Sequence, residues 1–92
     1  MKTKNFKRGD QIVYIPNHLI NLPFEEIKDD YFIEYGFVTS TDDEFVFCRF
    51  WRSQNSNELR TAANSESCYP RNLRKYESHT KGEIDLFLEK MK

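Results

Sequence analysis

Cationic side chains lie beside aromatic rings in the stretch from residue 45 to residue 60. Arg49, Trp51 and Arg52 fall within four residues of one another, and Arg60 follows. Cations next to rings on which a base can stack are typical of proteins that hold single-stranded nucleic acid. A second group of similar composition comes later in the chain, with Arg71, Arg74, Lys75 and Tyr76. This pattern predicts a nucleic-acid contact surface, unless the arginines only cover apolar surface and pair with nearby acids.

Acidic side chains dominate the stretch before these cations. Residues 10–44 contain nine acids against Lys28 alone, a net charge of −8, whereas residues 1–9 and residues 45–75 each carry +4. A surface of one sign attracts a partner of the other sign and helps to fix its orientation. We therefore predict that a basic protein partner contacts Glu25, Glu26, Asp29 and Asp30. A solvated acidic loop is the alternative explanation of the same residues.

The whole chain has a net charge of −1, with fourteen basic and fifteen acidic side chains among 92 residues. This balance argues against a generally basic nucleic-acid-binding protein and leaves room only for a local basic patch. We therefore predict a protein partner ahead of a nucleic acid. No apolar run approaches the length of a membrane span, so the sequence predicts a soluble, cytoplasmic protein without a membrane partner.

Residue types that bind metals or perform catalysis are present but widely spaced. His18, Cys48, Cys68 and His79 carry suitable donor atoms, yet no two of them have the short spacing of a zinc site. Ser40 combined with Cys68 and His18 would supply a nucleophile and a base, but nothing in their spacing brings them together. The three glycines do not form a phosphate-binding loop. We therefore predict no catalytic residues, no metal and no cofactor.

A β-hairpin over residues 34–51 is the element around which the chain is organised. Its aromatic and β-branched residues favour two strands, and Thr41 with the three acids that follow it favours a tight turn between them. Gly36 interrupts the first strand, which indicates a bulge or a close backbone approach. Successive side chains of a strand point to opposite faces, which assigns Val46, Cys48 and Phe50 to the core. The opposite face is expected to reach solvent and consists of Phe45, Phe47, Arg49 and Trp51.

Shorter elements flank this hairpin. Residues 11–15 predict a strand that ends at Pro16 and is covered on both faces, since both are apolar. In the long connection of residues 17–31, residues 21–27 predict one helical turn. Residues 59–63 are a candidate strand, and residues 64–67 a loop. Cys68 begins a short strand, followed by a one-turn connector at Pro70 and a last strand through residue 76.

A short helix is predicted at the C-terminal end of the sequence. Thr80 and Glu83 have the spacing of a capping box, in which each side chain bonds the backbone of the other residue. An apolar stripe with helical spacing follows, made of Ile84, Phe87, Leu88 and Met91. Because a helix of this length is marginal alone, the stripe is expected to dock on the barrel or on a partner.

Four motifs resemble those of SH3-like barrels of the KOW type: residues 9–14, 35–38, 46–50 and 70–73. More narrowly, residues 14–18, 35–40 and 59–66 together with Pro70 resemble short uncharacterised proteins of tailed bacteriophages. The resemblance covers about residues 6–76 and implies a barrel fold but no activity.

These observations predict a mainly β fold, a small SH3-like barrel of about five strands with a C-terminal α-helix. The chain is expected to form a single domain over residues 1–92, with the barrel over 6–76 and the helix over 80–91. Its predicted function is that of a non-enzymatic binding module, a phage accessory protein that binds a host or phage protein in the bacterial cytoplasm. The alternative is a small nucleic-acid-binding barrel that uses Arg49, Trp51, Arg52 and Arg60.

Overall fold

The computed structural model describes residues 2–60 and 65–90 of the chain. Within these residues, five antiparallel strands form a curled half-barrel, in the order β4-β3-β2-β1-β5 across the sheet. The strands are β1 (Gln11–Tyr14), β2 (Glu34–Thr41), β3 (Val46–Phe50), β4 (Glu66–Cys68) and β5 (Leu73–Lys75). The helices are α1 (Phe24–Ile27) and α2 (Lys81–Lys90), and 3₁₀ turns span Thr3–Asn5 and Pro70–Asn72. The predicted fold class, a small, mainly β barrel of five strands with a C-terminal helix, is confirmed.

The predicted central hairpin forms from β2 and β3. Gly36 lies opposite Phe50, and a β carbon at this glycine would overlap the carbonyl oxygen of Arg49 and lie 2.9 Å from Cδ1 of Phe50. The close-approach explanation of Gly36 is therefore correct, while the irregularity in the strand pairing occurs later, between Val38 and Ser40. The two strands can come together at Gly36 only because this position has no side chain.

The turn between β2 and β3 is organised by Asp42. Its carboxylate accepts hydrogen bonds from the backbone N–H groups of Glu44 and Phe45, at 2.8 and 2.7 Å. Hydrogen bonds to the ionised form, from Phe45 and then from Glu44, hold the pKa of Asp42 below its usual range. The predicted acidic turn is confirmed, and its side chain stabilises the local backbone.

Each face of the sheet packs into its own apolar cluster. One cluster contains Ile12 of β1 and the predicted core residues Val46, Cys48 and Phe50 of β3. The other contains Val13, the next residue of β1, together with aromatic side chains of β2 and Ile84 of α2. Because successive side chains of a strand point to opposite faces, β1 is buried on both sides, as its sequence predicts.

The predicted capping box begins α2. The backbone N–H of Thr80 donates to the Glu83 carboxylate at 3.1 Å, and the N–H of Glu83 donates back to the Thr80 hydroxyl at 3.2 Å. These bonds from Thr80 lower the pKa of the Glu83 carboxyl. They satisfy N–H groups that the first turn of a helix otherwise leaves without a partner.

The apolar stripe of α2 docks on the barrel. Ile84 is 1% exposed, and Phe87 and Leu88 are half-buried against the cluster around Val13. The ring of Phe87 lies 5.2 Å from that of Trp51. Of the two alternatives for this stripe, docking on the barrel is therefore correct for these three residues. Met91, the fourth residue of the predicted stripe, lies outside the described residues.

The second face of β3 was expected to reach solvent, and for two of its residues this prediction is wrong. Arg49 is 8% exposed and Trp51 is 3% exposed, while Phe45 and Phe47 are half-buried. For Trp51 the physical reason is that α2 lies over this face, so that its ring packs between the barrel and the helix. Neither Arg49 nor Trp51 offers a surface on which a nucleic-acid base can stack.

The short elements agree with the sequence in part. The helical turn predicted over residues 21–27 forms as α1, and the connector at Pro70 and the last strand are present. Most of the strand predicted over residues 59–63 lies outside the described residues. Leu59 itself forms one bridge to Trp51. The fourth strand, β4, instead pairs Glu66 with Cys48 and begins in a segment predicted as a loop. It ends at Cys68, where a strand was expected to begin.

Candidate functional site

A cleft with a volume of about 700 Å³ opens at one end of the sheet. It lies where β1 and β3 end and β2 begins, because neighbouring strands of the sheet are antiparallel. Residues 28–35 form one wall, and residues 51–54 together with Arg60 form the other. Tyr14 and Pro16, at the end of β1, complete the lining.

Residues from both predicted contact surfaces line this one cleft. Asp29 and Asp30 come from the acidic set, and Trp51, Arg52 and Arg60 come from the basic set. The other predicted residues, Glu25, Glu26 and Arg49, do not line it: the first two lie on α1 and the third is buried in the sheet. Parts of the two surfaces that the sequence offers as alternatives thus line the same site.

The cations that line the cleft all have carboxylate partners within the protein. Arg60 forms ion pairs with Glu34 and Glu66. The remaining pairs join Arg52 to Glu58 at 3.4 Å and Lys28 to Glu25 at 3.0 Å. The hydrogen bond to Glu25 raises the pKa of Lys28. Positive charge in the cleft is therefore largely neutralised by neighbouring acids.

The two aspartates of the cleft differ from these cations. Within the described part of the chain, neither Asp29 nor Asp30 forms an ion pair with a lysine or arginine. Asp30 accepts one hydrogen bond, from the backbone N–H of Phe32 at 2.9 Å. Counted together with their partners Glu25, Glu58 and Glu66, the lining residues therefore carry excess negative charge, and Asp29 and Asp30 are the carboxylates among them without an ion pair.

Two large aromatic side chains stand at the rim beside these aspartates. Tyr31 is 91% exposed and Phe32 is 55% exposed, and their rings meet edge to face at 5.3 Å. The imidazole of His18 lies 5.4 Å from the Phe32 ring. Neither Tyr31 nor Phe32 is among the site residues expected from the sequence, although two adjacent aromatics in an acid-rich connection are a usable signal. Exposed aromatics that adjoin a cleft are characteristic of contact surfaces.

The wall that carries these residues is fixed to the sheet by Tyr35. Its hydroxyl donates a hydrogen bond to the carbonyl oxygen of Lys28 at 2.9 Å, and its ring contacts that of Tyr76 at 5.3 Å. Burial raises the pKa of the Tyr35 hydroxyl, so the group stays protonated and remains a donor. The segment that carries the aspartates and the aromatic rim is therefore joined to the sheet by the hydrogen bond between Tyr35 and Lys28.

His79 fixes the opposite wall. Its ring stacks on that of Trp51 with a centroid distance of 4.0 Å, and its Nε2 lies 2.6 Å from the carbonyl oxygen of Ser56. Because a carbonyl only accepts, Nε2 donates in this bond. Nδ1 lies 2.8 Å from the hydroxyl of Ser78, and Gln11 exchanges two hydrogen bonds with the backbone of His79. From the sequence, His79 is considered only as a metal ligand, and this structural role is not expected.

Replacing His79 by alanine is expected to lower the free energy of unfolding by about 1–2 kcal/mol, since a stacked ring and its hydrogen bonds are lost. Chemical denaturation measures this loss, and amide hydrogen exchange is expected to accelerate in residues 51–58. The matched control is His18→Ala, because His18 is exposed and is expected to change stability by no more than about 0.5 kcal/mol. Equal effects of the two substitutions would contradict the assigned role of His79.

The residue types suited to metal binding do not converge on this cleft. Cys48 and Cys68 meet in the cluster on the other face of the sheet, where a hydrogen bond between the thiols and burial raise the pKa of Cys48. His18 lies at the rim of the wall and His79 lies against Trp51. No group of three or more metal-binding side chains occurs among the described residues.

Comparisons of the chain with protein-family models, with curated proteins and with solved structures find no match. The resemblance to bacteriophage proteins therefore stays a prediction. Among the described helices, none is long and apolar enough to cross a membrane.

Proposed function

We propose that the protein is a non-enzymatic binding module and that its cleft holds a basic segment of a partner protein. The observation that carries this proposal is the wall formed by residues 29–32. This wall presents two carboxylates that form no ion pair with a described lysine or arginine, next to two exposed aromatic rings. Given the resemblance to bacteriophage proteins, we propose that the partner is a host or phage protein in the bacterial cytoplasm.

A lysine or arginine side chain fits the chemistry of this wall. Its charge is attracted to the carboxylates of Asp29 and Asp30, and its cationic group is also attracted to the faces of Tyr31 and Phe32. Arginine suits the site best, because its planar group stacks on a ring while it donates to a carboxylate. A partner segment with two neighbouring basic residues would engage both features of the wall.

A nucleic-acid partner is less well supported by the same geometry. Arg52 and Arg60 already have carboxylate partners, and Arg49 and Trp51 are buried. A phosphate that enters the cleft also approaches the uncompensated charges of Asp29 and Asp30, which repel it. Binding of a nucleic acid is therefore the outcome against which the peptide experiment below is compared.

The test is calorimetric titration with a short synthetic peptide that carries two neighbouring arginines. The double substitution Asp29→Asn with Asp30→Asn is expected to weaken binding of this peptide about tenfold or more, because charge-assisted hydrogen bonds are lost. The matched control is Glu26→Gln with Glu44→Gln, which removes the same charge outside the cleft and breaks no ion pair among the described residues. It is expected to change the affinity less than about threefold, the size of a screened long-range effect.

Two results would count against this function. Equal losses in the two double variants would show attraction to general negative charge rather than binding in the cleft. Binding of a single-stranded oligonucleotide at low salt, weakened by Arg52→Ala or Arg60→Ala and insensitive to the aspartate substitutions, would favour the nucleic-acid alternative.

A further inference from the structure

A second, smaller cavity of about 260 Å³ lies between β1, the connection after it and β5. Five apolar residues line it: Val13 of β1, Ile15 just after β1, and Ile20, Leu22 and Phe24 of the connection. Leu22 is about half-exposed at the rim. The remaining lining residues are Arg74, Lys75 and Tyr76. The cavity is thus an apolar pocket with cationic residues at one side, separate from the large cleft.

Arg74 is held at this pocket by backbone groups rather than by an acid. Its Nη1 donates to the carbonyl oxygens of Arg71 and Leu73, at 2.8 and 2.9 Å. Within the described part of the chain, Arg74 has no carboxylate within ion-pair distance. The two bonds use both hydrogens of Nη1, so Nε and Nη2 keep theirs for a ligand. These two nitrogens form the edge of a guanidinium that binds a carboxylate with two parallel hydrogen bonds.

Lys75 does not supply the charge of the pocket. Its Nζ lies 3.4 Å from a carboxylate oxygen of Asp10 and 5.9 Å from the centre of the Phe6 ring, which belongs to the cluster on the opposite face of the sheet. The ion pair with Asp10 also compensates its charge. Arg74 is therefore the group that gives this pocket its preference for an anion.

The edge of β5 is closed to an added peptide strand at Leu73. The N–H of Leu73 donates to the carbonyl oxygen of Pro70, and its own carbonyl oxygen accepts from Arg74. A strand that pairs with β5 would need both groups free. The ligand chemistry that remains is a compact apolar group that enters the pocket with its charge at the Arg74 edge.

We propose that this pocket binds an aliphatic carboxylate, with its apolar part against Ile15, Ile20 and Leu22 and its carboxylate on Nε and Nη2 of Arg74. Burial of the aliphatic part supplies apolar contact area, and the guanidinium selects the charge. Two sources carry this chemistry: a free medium-chain fatty acid, and the C-terminal leucine or isoleucine of a polypeptide.

The probe for the first source is octanoate, titrated into uniformly ¹⁵N-labelled protein at neutral pH. Saturable chemical-shift changes are expected at residues 13–15, 20–24 and 74–76. Octanol has the same chain without the charge and is expected to bind at least about tenfold more weakly, the size of a charge-assisted bidentate contact. The fluorescence of Trp51, which lines the large cleft, is expected to stay constant.

The deciding variant is Arg74→Gln, which is expected to reduce octanoate affinity about tenfold and to leave octanol binding unchanged. The matched control is Arg71→Gln, because Arg71 lies on the same segment and its guanidinium sits over the Tyr69 ring, 4.7 Å from its centre, outside the pocket. Arg71→Gln is expected to leave both affinities unchanged. Leu22→Asn alters an exposed rim residue and is expected to weaken the binding of octanoate and of octanol equally. This second variant tests the pocket even if Arg74→Gln fails to fold.

A short peptide that ends in a free leucine carboxylate, compared with its C-terminal amide, tests the second source. Octanoate binding without peptide binding assigns the pocket to fatty acids, and the reverse assigns it to a chain terminus. The proposal is overturned if neither probe gives saturable shifts at millimolar concentration. Equal losses with Arg74→Gln and Arg71→Gln, which would indicate only general attraction to positive charge, overturn it as well.

Discussion

Replacing Gly36 by alanine is expected to lower the free energy of unfolding by about 3 kcal/mol or more, which removes much of the stability of a domain of this size. The added methyl group would overlap the carbonyl oxygen of Arg49 in the neighbouring strand and press on the Phe50 ring. The backbone oxygen cannot move aside without opening the pairing of β2 with β3. Urea denaturation followed by circular dichroism measures the loss.

The control for this substitution is Gly82→Ala in the first turn of α2. A β carbon at Gly82 would meet no described atom within 4 Å. Alanine also restricts the unfolded chain, so this variant is expected to be more stable by about 0.5 kcal/mol. The account of the hairpin is contradicted if Gly36→Ala is as stable as the unmodified protein, or if both variants are equally destabilised.

Replacing Ile84 by alanine is expected to lower the free energy of unfolding by about 3 kcal/mol, since the substitution leaves a cavity between α2 and the barrel. Ile84 is 1% exposed and belongs to the cluster that also contains Val13 and Phe37. Thermal and chemical denaturation measure the effect. If α2 were an appendage of an independent barrel, the same substitution would leave the unfolding of the barrel unchanged.

Leu86→Ala is the matched control, because Leu86 lies on the same helix and is 54% exposed. It is expected to change stability by no more than about 0.5 kcal/mol. Truncation after Tyr76 removes α2 and His79 together and exposes the apolar surface around Phe37 and Trp51. A truncated chain that remains folded with full stability would contradict the integral role of the helix.

The fold follows from local patterns that the sequence displays directly. Val46, Cys48 and Phe50 alternate with the period of a strand, and the Thr80–Glu83 pair marks the start of a helix, so these elements are predictable. The steric role of Gly36 is also predictable as one of two explanations. The start of strand β4 is not predictable from the sequence, because Glu66 and Ser67 are polar and gain their strand conformation from pairing with β3.

The candidate site depends on contacts between distant parts of the chain, and it is predictable only in part. Charge counts identify Asp29, Asp30, Arg52 and Arg60, but they do not reveal that Glu34 and Glu66 neutralise Arg60 while the aspartates stay uncompensated. The same limit explains the error at Trp51.

Alternation places Trp51 on one face of β3 but does not tell what covers that face. Here α2 covers it, and a helix that packs from the other end of the chain leaves no local signal in residues 45–51. Parts of the basic and acidic segments therefore line one cleft. Its cations, Lys28, Arg52 and Arg60, are paired with acids, and a short acidic, aromatic wall is left open.

The most direct test of the binding function is chemical-shift mapping of the arginine peptide on ¹⁵N-labelled protein. The account predicts that the perturbed amides lie in residues 28–35 and 51–54, and that Asp29→Asn with Asp30→Asn strongly reduces these shifts at the same peptide concentration. Perturbations that instead centre outside these two segments, or that persist unchanged in the aspartate variant, would contradict the assignment of the cleft as the binding site.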